Sequence, residues 1–380
     1  MRTIVAGGAG LIGCHLVKKL LDEGREVLVV DDLSRGNLQN LKDLEADAPL
    51  ISADLRDPKQ AYEALKGAEV VFHLAARVGS VELLHGSKRA ELDALWSNLA
   101  IDGNVFRACL EHGVKKLIYA SSVSVYPIHT QHRLNVTLSE TDLDLTTLDL
   151  GLRTSDSRLR TVIDPEGGYG WAKLLGEIQL SWMAKARQLD NSRPRTQDFG
   201  LRTIQIGIAR IFNVYGEGED FGKTAHVVPA LIRKAIRYPE EDFIVWGDGT
   251  QTRDFLYVSD CVDALIKLEA ALPSGVQGPK TRGNLNPHSP TPNPQPLVIN
   301  IGSDTPVPIS VLAEKIVKIS GKDIKIKYDP SKPVGPLSRT ANITKAKEIL
   351  NWKPEVSLED GLRRTYTWVE KRLAETRGDR

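Results

Sequence analysis

Tyr169 and Lys173 stand four residues apart in the run Tyr169-Gly170-Trp171-Ala172-Lys173. On a helix that spacing puts both on one face. A phenol beside an ammonium favours the phenolate, so such a tyrosine can serve as a base near neutral pH. Moving a tyrosine from pKa ~10 to ~7 takes about 4 kcal/mol of differential stabilisation, which a lysine and a second cation can supply together. The same pair, taken alone, also describes a packed aromatic next to a solvated cation. The elements around it have to decide.

The N-terminus reads as a unit that holds a dinucleotide. Arg2 to Ala6 has the composition of a buried strand, and Gly7, Gly10 and Gly13 follow at Gly-x-x-Gly-x-x-Gly spacing. Leu11 to Leu21 reads as a helix whose apolar positions begin with Leu11 and Ile12. A second strand, Glu26 to Val30, ends at Asp31 and Asp32. Strand, glycine turn, helix, strand and acid form the nucleotide-binding pattern. The glycines let backbone approach a pyrophosphate, and the helix N-terminus offers N–H groups and a partial positive charge. A carboxylate at Asp31 accepts hydrogen bonds from both ribose hydroxyls of NAD and repels the extra phosphate of NADP, a repulsion Arg35 would soften. NAD is the expected cofactor, and its nicotinamide is the second cation that Tyr169 requires.

Composition agrees with a soluble enzyme. The 380 residues suffice for a large core in two lobes, and 50 Lys and Arg nearly balance 49 Asp and Glu. Neither a nucleic-acid surface nor a membrane surface is indicated. No apolar run approaches the ~20 residues of a membrane span. Cys14, Cys109 and Cys261 lie far apart and make no metal spacing. A reducing cytoplasmic setting and no metal are expected.

Strand and helix patterns go on alternating. Pro49 to Ala53, Val70 to Ala76, Lys116 to Ser121 and Ile204 to Phe212 read as strands; Pro58 to Leu65, Glu91 to His112 and Tyr169 to about Ala186 read as helices. That order predicts an α/β fold, a doubly wound parallel sheet with a smaller C-terminal α/β lobe for substrate. Ligands should gather at the carboxyl ends of the strands, where Gly7, Asp31, Asp54, Ala75, Ser122 and Asn213 stand. The expected division gives 1–213 to the cofactor domain, with 250–272 returning to it, and 214–249 and 297–380 to the substrate lobe. Residues 127–168, 188–200 and 273–296 look like insertions; the last holds seven prolines in twenty-four residues. The first enters the site region directly after Ser124, which makes it a candidate lid.

Jointly, several motifs carry a resemblance over nearly the whole chain except the insertions. They are Gly7-Gly8-Ala9-Gly10-Leu11-Ile12-Gly13, Asp31-Asp32-Leu33-Ser34-Arg35-Gly36, Asp54-Leu55, His73-Leu74-Ala75-Ala76, Asn98, Ser121-Ser122-Val123-Ser124-Val125-Tyr126, Tyr169 with Lys173, Arg210 to Gly216, and Trp246 to Phe255. The chain resembles an extended short-chain dehydrogenase/reductase of the nucleotide-sugar epimerase and dehydratase group, built on a Rossmann sheet. The resemblance implies that Asp54 and Leu55 flank adenine, and that Leu74, Ala75, Ala76 and Asn98 also serve the cofactor. Ser122, Tyr169 and Lys173 would form a catalytic triad, with Lys173 also on the nicotinamide ribose. Asn213, Arg253 and Arg339 would take the substrate diphosphate, for which a guanidinium fork is suited. Asn342 stands where the usual pattern has an acid. A homodimer through the helices Glu91 to His112 and Tyr169 to Ala186 is also implied.

The reaction depends on which acid or base stands near the ring carbons of a 4-keto sugar. In 4,6-dehydratases of the group an Asp-Glu pair follows the triad Ser/Thr, and decarboxylases of uronic acids carry Glu at the second of these places. Here Val123 and Ser124 occupy them. The run from His226 to Ala235 resembles GDP-fucose synthases and GDP-mannose 3,5-epimerases, which pair a cysteine with His or Lys. His226 matches, while Ser124 replaces the cysteine, and a serine hydroxyl is a far poorer base than a thiolate. The expectation is a cytoplasmic NAD-dependent 4-epimerase of a nucleoside-diphosphate hexose, with a 3,5-epimerase as runner-up. A non-catalytic dinucleotide sensor would be expected to have lost part of the triad, and this chain has kept it.

Overall fold

A computed structural model describes residues 1–145, 163–189, 204–222, 224–273 and 295–378. The expectations for most of the three insertions fall outside the described residues. Fourteen strands lie among them. In chain order these are β1 Arg2–Ala6, β2 Glu26–Asp31, β3 Leu50–Ser52, β4 Val70–His73, β5 Lys116–Ser122, β6 Thr137–Leu138 and β7 Gln205–Ile211. They continue with β8 Asn213–Tyr215, β9 Ile244–Trp246, β10 Thr252–Tyr257, β11 Leu297–Ile301, β12 Pro306–Pro308, β13 Lys327–Asp329 and β14 Ser338–Ala341.

Seven strands form one parallel sheet in the order β11-β7-β5-β4-β1-β2-β3. The central strands are Val- and Ile-rich and buried along most of their length, as a sheet covered on both faces requires. Helices Leu11–Asp22 and Val258–Ala271 pack on one face, Lys88–Glu111 and Gly167–Leu189 on the other. The chain builds outward from β1 through β2 to β3, then crosses back to β4. The reversal between β1 and β4 opens a crevice at the strand ends, where α/β sheets bind ligands.

The smaller sheet runs β12-β10-β14-β6, with β8 also on β10, and β9 pairs with β13 separately. It packs against the helices Val227–Arg237, Ile309–Ser320 and Leu358–Gly378 around a core of its own. Two segments lie elsewhere than expected. Leu297–Ile301, assigned to the substrate lobe, pairs with β7 and closes the edge of the large sheet. Thr252–Tyr257, assigned to the cofactor domain, belongs to the smaller sheet, and only the helix after it packs on the large one. An apolar strand pattern shows that a strand is buried, not which sheet it joins.

A buried ion pair ties the start of the first insertion to the large sheet. Arg210 on β7 and Glu177 on the Gly167–Leu189 helix meet at 2.8 Å, both essentially inaccessible. The same guanidinium donates to the backbone carbonyl of Leu143 at 2.9 Å and to the Tyr126 hydroxyl at 3.1 Å. Removing one partner of such a pair would strand a buried charge, which typically costs about 3–5 kcal/mol.

Candidate functional site

The glycine turn is built by contact. Gly7 has φ +81°, and a Cβ on it would lie 2.7 Å from the backbone nitrogen of Ala75. A Cβ on Gly13 would lie 2.1 Å from the Gly7 carbonyl oxygen, so the helix can press on the turn only without a side chain there. At Gly10 the nearest atom to such a Cβ is 3.5 Å away. Its missing side chain leaves room in the cleft, where a pyrophosphate needs it. The helix begins at Leu11 directly beyond, with its N–H groups turned toward that space.

Asp31 closes the turn from β2. One carboxylate oxygen accepts from the Ala9 N–H and the other from the Leu33 N–H, both at 2.9 Å. Each oxygen keeps lone-pair capacity for a ribose hydroxyl. Burial pushes this carboxyl upward, against those two hydrogen bonds. Asp32 accepts instead from Ser34 in a local exposed turn. Asp54 is held ionised by hydrogen bonds from Arg56. These residues, with Leu11, Ile12, Leu55, Leu74, Ala75 and Ala76, line one end of a cleft of ≈ 1070 Å³. They fit a dinucleotide.

Asn98 is a correction. It does not line the cleft. It is fully buried, and its amide is spent on the backbone of Arg77 and Ala94. Its contribution is to hold the loop after β4 in place.

Ser122 ends β5, and Tyr169 and Lys173 lie on the first turns of the helix Gly167–Leu189, so all three meet at the middle of the cleft. The Ser122 hydroxyl is the neighbouring polar side chain that acts to pull the Tyr169 phenol down. Ser122 Oγ accepts the Ser124 N–H at 3.1 Å, which fixes its direction. Among protein groups, burial dominates at Tyr169 and pushes the phenol up; the Ser122 hydroxyl opposes it, while Asp102 and Glu166 add to the rise. Lys173 by itself does not offset this rise, so the phenolate still requires the second cation. Lys173 is itself buried, which pulls its ammonium down, and its Nζ lies 4.5 Å over the Tyr119 ring.

At the other end of the cleft stand two guanidinium groups. Arg253 and Arg339 are register partners on the parallel strands β10 and β14, so their side chains leave the same face side by side. Arg253 donates to the carbonyls of Thr252, Val334 and Pro336 and, among the described residues, to no carboxylate. Burial, followed by the charge of Arg339, pulls it down to about 9. Two crowded cations with mainly neutral partners are suited to a polyanion. Asn213 on β8 also lines the cleft, its amide donating to the Asp254 carbonyl at 3.0 Å.

The sequence reading did not include Glu166. It immediately precedes the tyrosine helix and lines the cleft. Its carboxylate accepts from Ser124 Oγ at 3.0 Å and from Arg339. Burial raises this carboxyl, but the guanidinium and the hydroxyl outweigh it and hold it below its ordinary value. Ser124 lacks the acid of the dehydratases and decarboxylases, and a neighbouring strand of chain delivers a carboxylate to it. An acid three residues before the tyrosine was the available signal. Gln131, also unforeseen, accepts from Arg339 Nε.

His226 and Ser124 do not pair. His226 precedes the helix Val227–Arg237, and its Nδ1 lies 2.7 Å from Glu219. Desolvation in the cleft disfavours the imidazolium, whose side chain is still 45% exposed, and the Glu219 hydrogen bond and charge outweigh it and hold His226 above its ordinary value. The backbone of Gly79 adds to that rise. The three cysteines are buried thiols, and no cluster of metal-ligating side chains occurs among the described residues. No described helix is long and apolar enough to cross a membrane.

Comparison with known proteins agrees with this geometry. The chain is 30% identical to a UDP-N-acetyl-alpha-D-glucosaminuronate decarboxylase of Bacillus cytotoxicus, over 97% of this chain and 98% of that one. It is 27% identical to GDP-mannose 3,5-epimerase 1 of Oryza sativa subsp. japonica, over 98% and 82%. A solved UDP-glucose 4-epimerase of Thermotoga maritima with UDP-glucose superposes with a TM-score of 0.74 at 27% identity, covering 98% of this chain and all of that one. The model of the NAD dependent epimerase/dehydratase family matches residues 3–280. That span takes in every strand of the large sheet except β11, together with the glycine turn and the Tyr169–Lys173 pair, and the chain accordingly belongs to the NAD dependent epimerase/dehydratase family, as an enzyme whose cofactor is NAD.

Proposed function

We propose that this enzyme is a nucleotide-sugar epimerase that works through a transient 4-keto sugar, with net 4-epimerisation of a nucleoside-diphosphate hexose. Asp31 holds the cofactor's adenosine ribose, Asp54 and Leu55 flank adenine, and the turn from Gly7 to Gly13 takes the pyrophosphate. Bound NAD supplies an acceptor and then a donor of hydride at carbon 4. Ser122 orients the sugar hydroxyl, Tyr169 takes its proton and later returns it, and Lys173 keeps positive charge beside the phenolate. Arg253, Arg339 and Asn213 grip the substrate diphosphate.

The observation that carries this choice is the state of the groups beyond the triad. His226 is bound to Glu219, and the Ser124 hydroxyl donates to Glu166. Ser124 supplies no thiolate to pair with the His226 imidazole for proton transfer at carbon 3 or 5, and 4-epimerisation requires no such pair. One observation favours a second reading. Glu166 is itself an ionised carboxylate in the cleft, so removal of a proton at a ring carbon, as in 3,5-epimerisation, has a candidate base. Turnover in deuterium oxide separates the two. The expected product carries no deuterium at carbons 3 or 5, by mass spectrometry and NMR. Stoichiometric deuterium at either carbon, lost in Glu166→Gln or His226→Ala, would replace the first reading by the second.

A further inference from the structure

Beneath the triad lies a carboxylate that the proposed reaction does not use. Asp102, on the helix Lys88–Glu111, is fully buried. It accepts a hydrogen bond from the Tyr119 hydroxyl at 2.6 Å and one from His73 Nε2 at 2.9 Å. Among the described residues no lysine or arginine nitrogen reaches it as a direct ion pair. Its ring partners are themselves locked together. Tyr119 and Phe106 pack edge to face at 5.4 Å, and His73 lies against both. A Cβ on Gly176 would stand 2.4 Å from the Tyr119 hydroxyl and 3.1 Å from the carboxylate, so the tyrosine helix presses directly on this group.

A fully buried carboxylate with only hydroxyl and imidazole partners needs a counter-charge. His73 does not provide one, since burial holds the imidazole neutral. The cation whose charge acts on Asp102 is Lys173, which lies over the same Tyr119 ring whose hydroxyl donates to the carboxylate. Donation to an anion enriches the ring, and a richer ring holds a cation better. Lys173, the Tyr119 ring, Asp102 and His73 therefore form one chain of contacts beneath the helices Lys88–Glu111 and Gly167–Leu189. The other carboxylate whose charge acts on Lys173 is Glu177, on its own helix. Glu177 is occupied by Arg210 and Ser121.

We propose that Asp102 is a positioning residue for the reaction, the buried counter-ion that keeps Lys173 protonated and sets the pH range in which Tyr169 and Lys173 work together. This rests on the reading of Lys173 as the catalytic lysine. The sign follows from charge alone. A nearby anion favours protonated forms, so Asp102 raises the proton affinity of both Lys173 and Tyr169, against the burial that pulls Lys173 down. Neutralising it should move both downward together.

Two measurements on Asp102→Asn test this. In kcat/KM against pH, both limbs should move to lower pH by at least about one unit, because Tyr169 loses its proton sooner and Lys173 does too. Limbs that stay in place while the amplitude falls would reduce Asp102 to packing and overturn the proposal. The second measurement needs neither cofactor nor substrate. In a thermal-denaturation cycle of Asp102→Asn, Lys173→Met and the double variant, the double should lose clearly less Tm than the sum of the singles, since it removes both members of a charge pair. Additive losses would overturn the proposal whether or not turnover is ever found. Should Asp102→Asn fail to fold, Asp102→Thr removes the charge without leaving an amide against the Tyr119 hydroxyl, and the same outcomes apply.

Discussion

At the scale of single residues, the group proposed as the base is one that its own surroundings oppose. Tyr169 is buried, and the nearby carboxylates of Asp102 and Glu166 work against phenolate. The Ser122 hydroxyl is the protein's main counterweight, so the remaining activation has to come from charge brought by the bound cofactor. Tyr169→Phe removes the proton acceptor and leaves the glycine turn untouched. Turnover is expected to fall ~100-fold to ~10,000-fold, the usual worth of a general base, with NAD affinity nearly unchanged in calorimetry. Turnover within a few-fold of the unaltered protein would remove Tyr169 from the mechanism. Glu166 shows the limit of reading residues one at a time. Ser124 by itself reads as a weak replacement for a missing acid, yet in space it carries an acid as its hydrogen-bond partner. Position 124 thus bears the chemistry of two residues forty-two apart.

At the scale of elements, what was legible in the sequence was what the chain builds locally. The turn at Gly7, Gly10 and Gly13 and the pair at Tyr169 and Lys173 depend on spacings of three and four, and those spacings survive folding intact. Six of the seven strands of the large sheet were expected, and five of them fall within a residue or two of their places; β4 ends three residues early where the chain turns into the cleft loop, and β11 was not expected as a strand of this sheet. Partnerships between distant segments were not legible. The register that sets Arg253 beside Arg339 is a pairing of strands more than eighty residues apart, and the Asp102 network joins three separate elements. No local period announces either. Asp31 is legible at both levels, since it ends a strand and also braces the turn. Asp31→Ala should therefore cost some stability through the lost Ala9 and Leu33 hydrogen bonds. Its diagnostic effect is on cofactor choice: NAD binding should weaken more than NADP binding, because the carboxylate that accepts from the ribose also repels a phosphate there. Calorimetry with both cofactors reads the ratio. A wild-type protein that binds NADP as well as NAD or better would refute the assignment.

At the scale of the whole molecule, the two helices that carry and back the triad have an unfinished outer surface. Lys88–Glu111 and Gly167–Leu189 pack on each other over the large sheet, with Asp102, Tyr169 and Lys173 turned inward. Outward they present Leu92, Trp96, Trp171 and Trp182, the tryptophans 42–59% exposed. Leu92 and Trp96 lie one turn apart, and Trp171 and Trp182 about three turns apart, so each pair keeps to one side of its helix. Large apolar side chains gathered on a helical face mark an interaction surface more often than solvent does. The expected partner is a second copy of the chain, with the two helix pairs forming a four-helix bundle about a twofold axis, the symmetry that lets one patch cover itself. Such a dimer would clamp the tyrosine helix from outside while the sheet supports it from inside. Sedimentation at micromolar concentration should give twice the 41.9 kDa of the chain. Trp96→Lys with Trp182→Lys should give a monomer whose Tm no longer rises with protein concentration, as mass action requires once association is lost. A wild-type monomer at micromolar concentration would reject the dimer. A dimer that survives both lysines would place its interface elsewhere on the molecule.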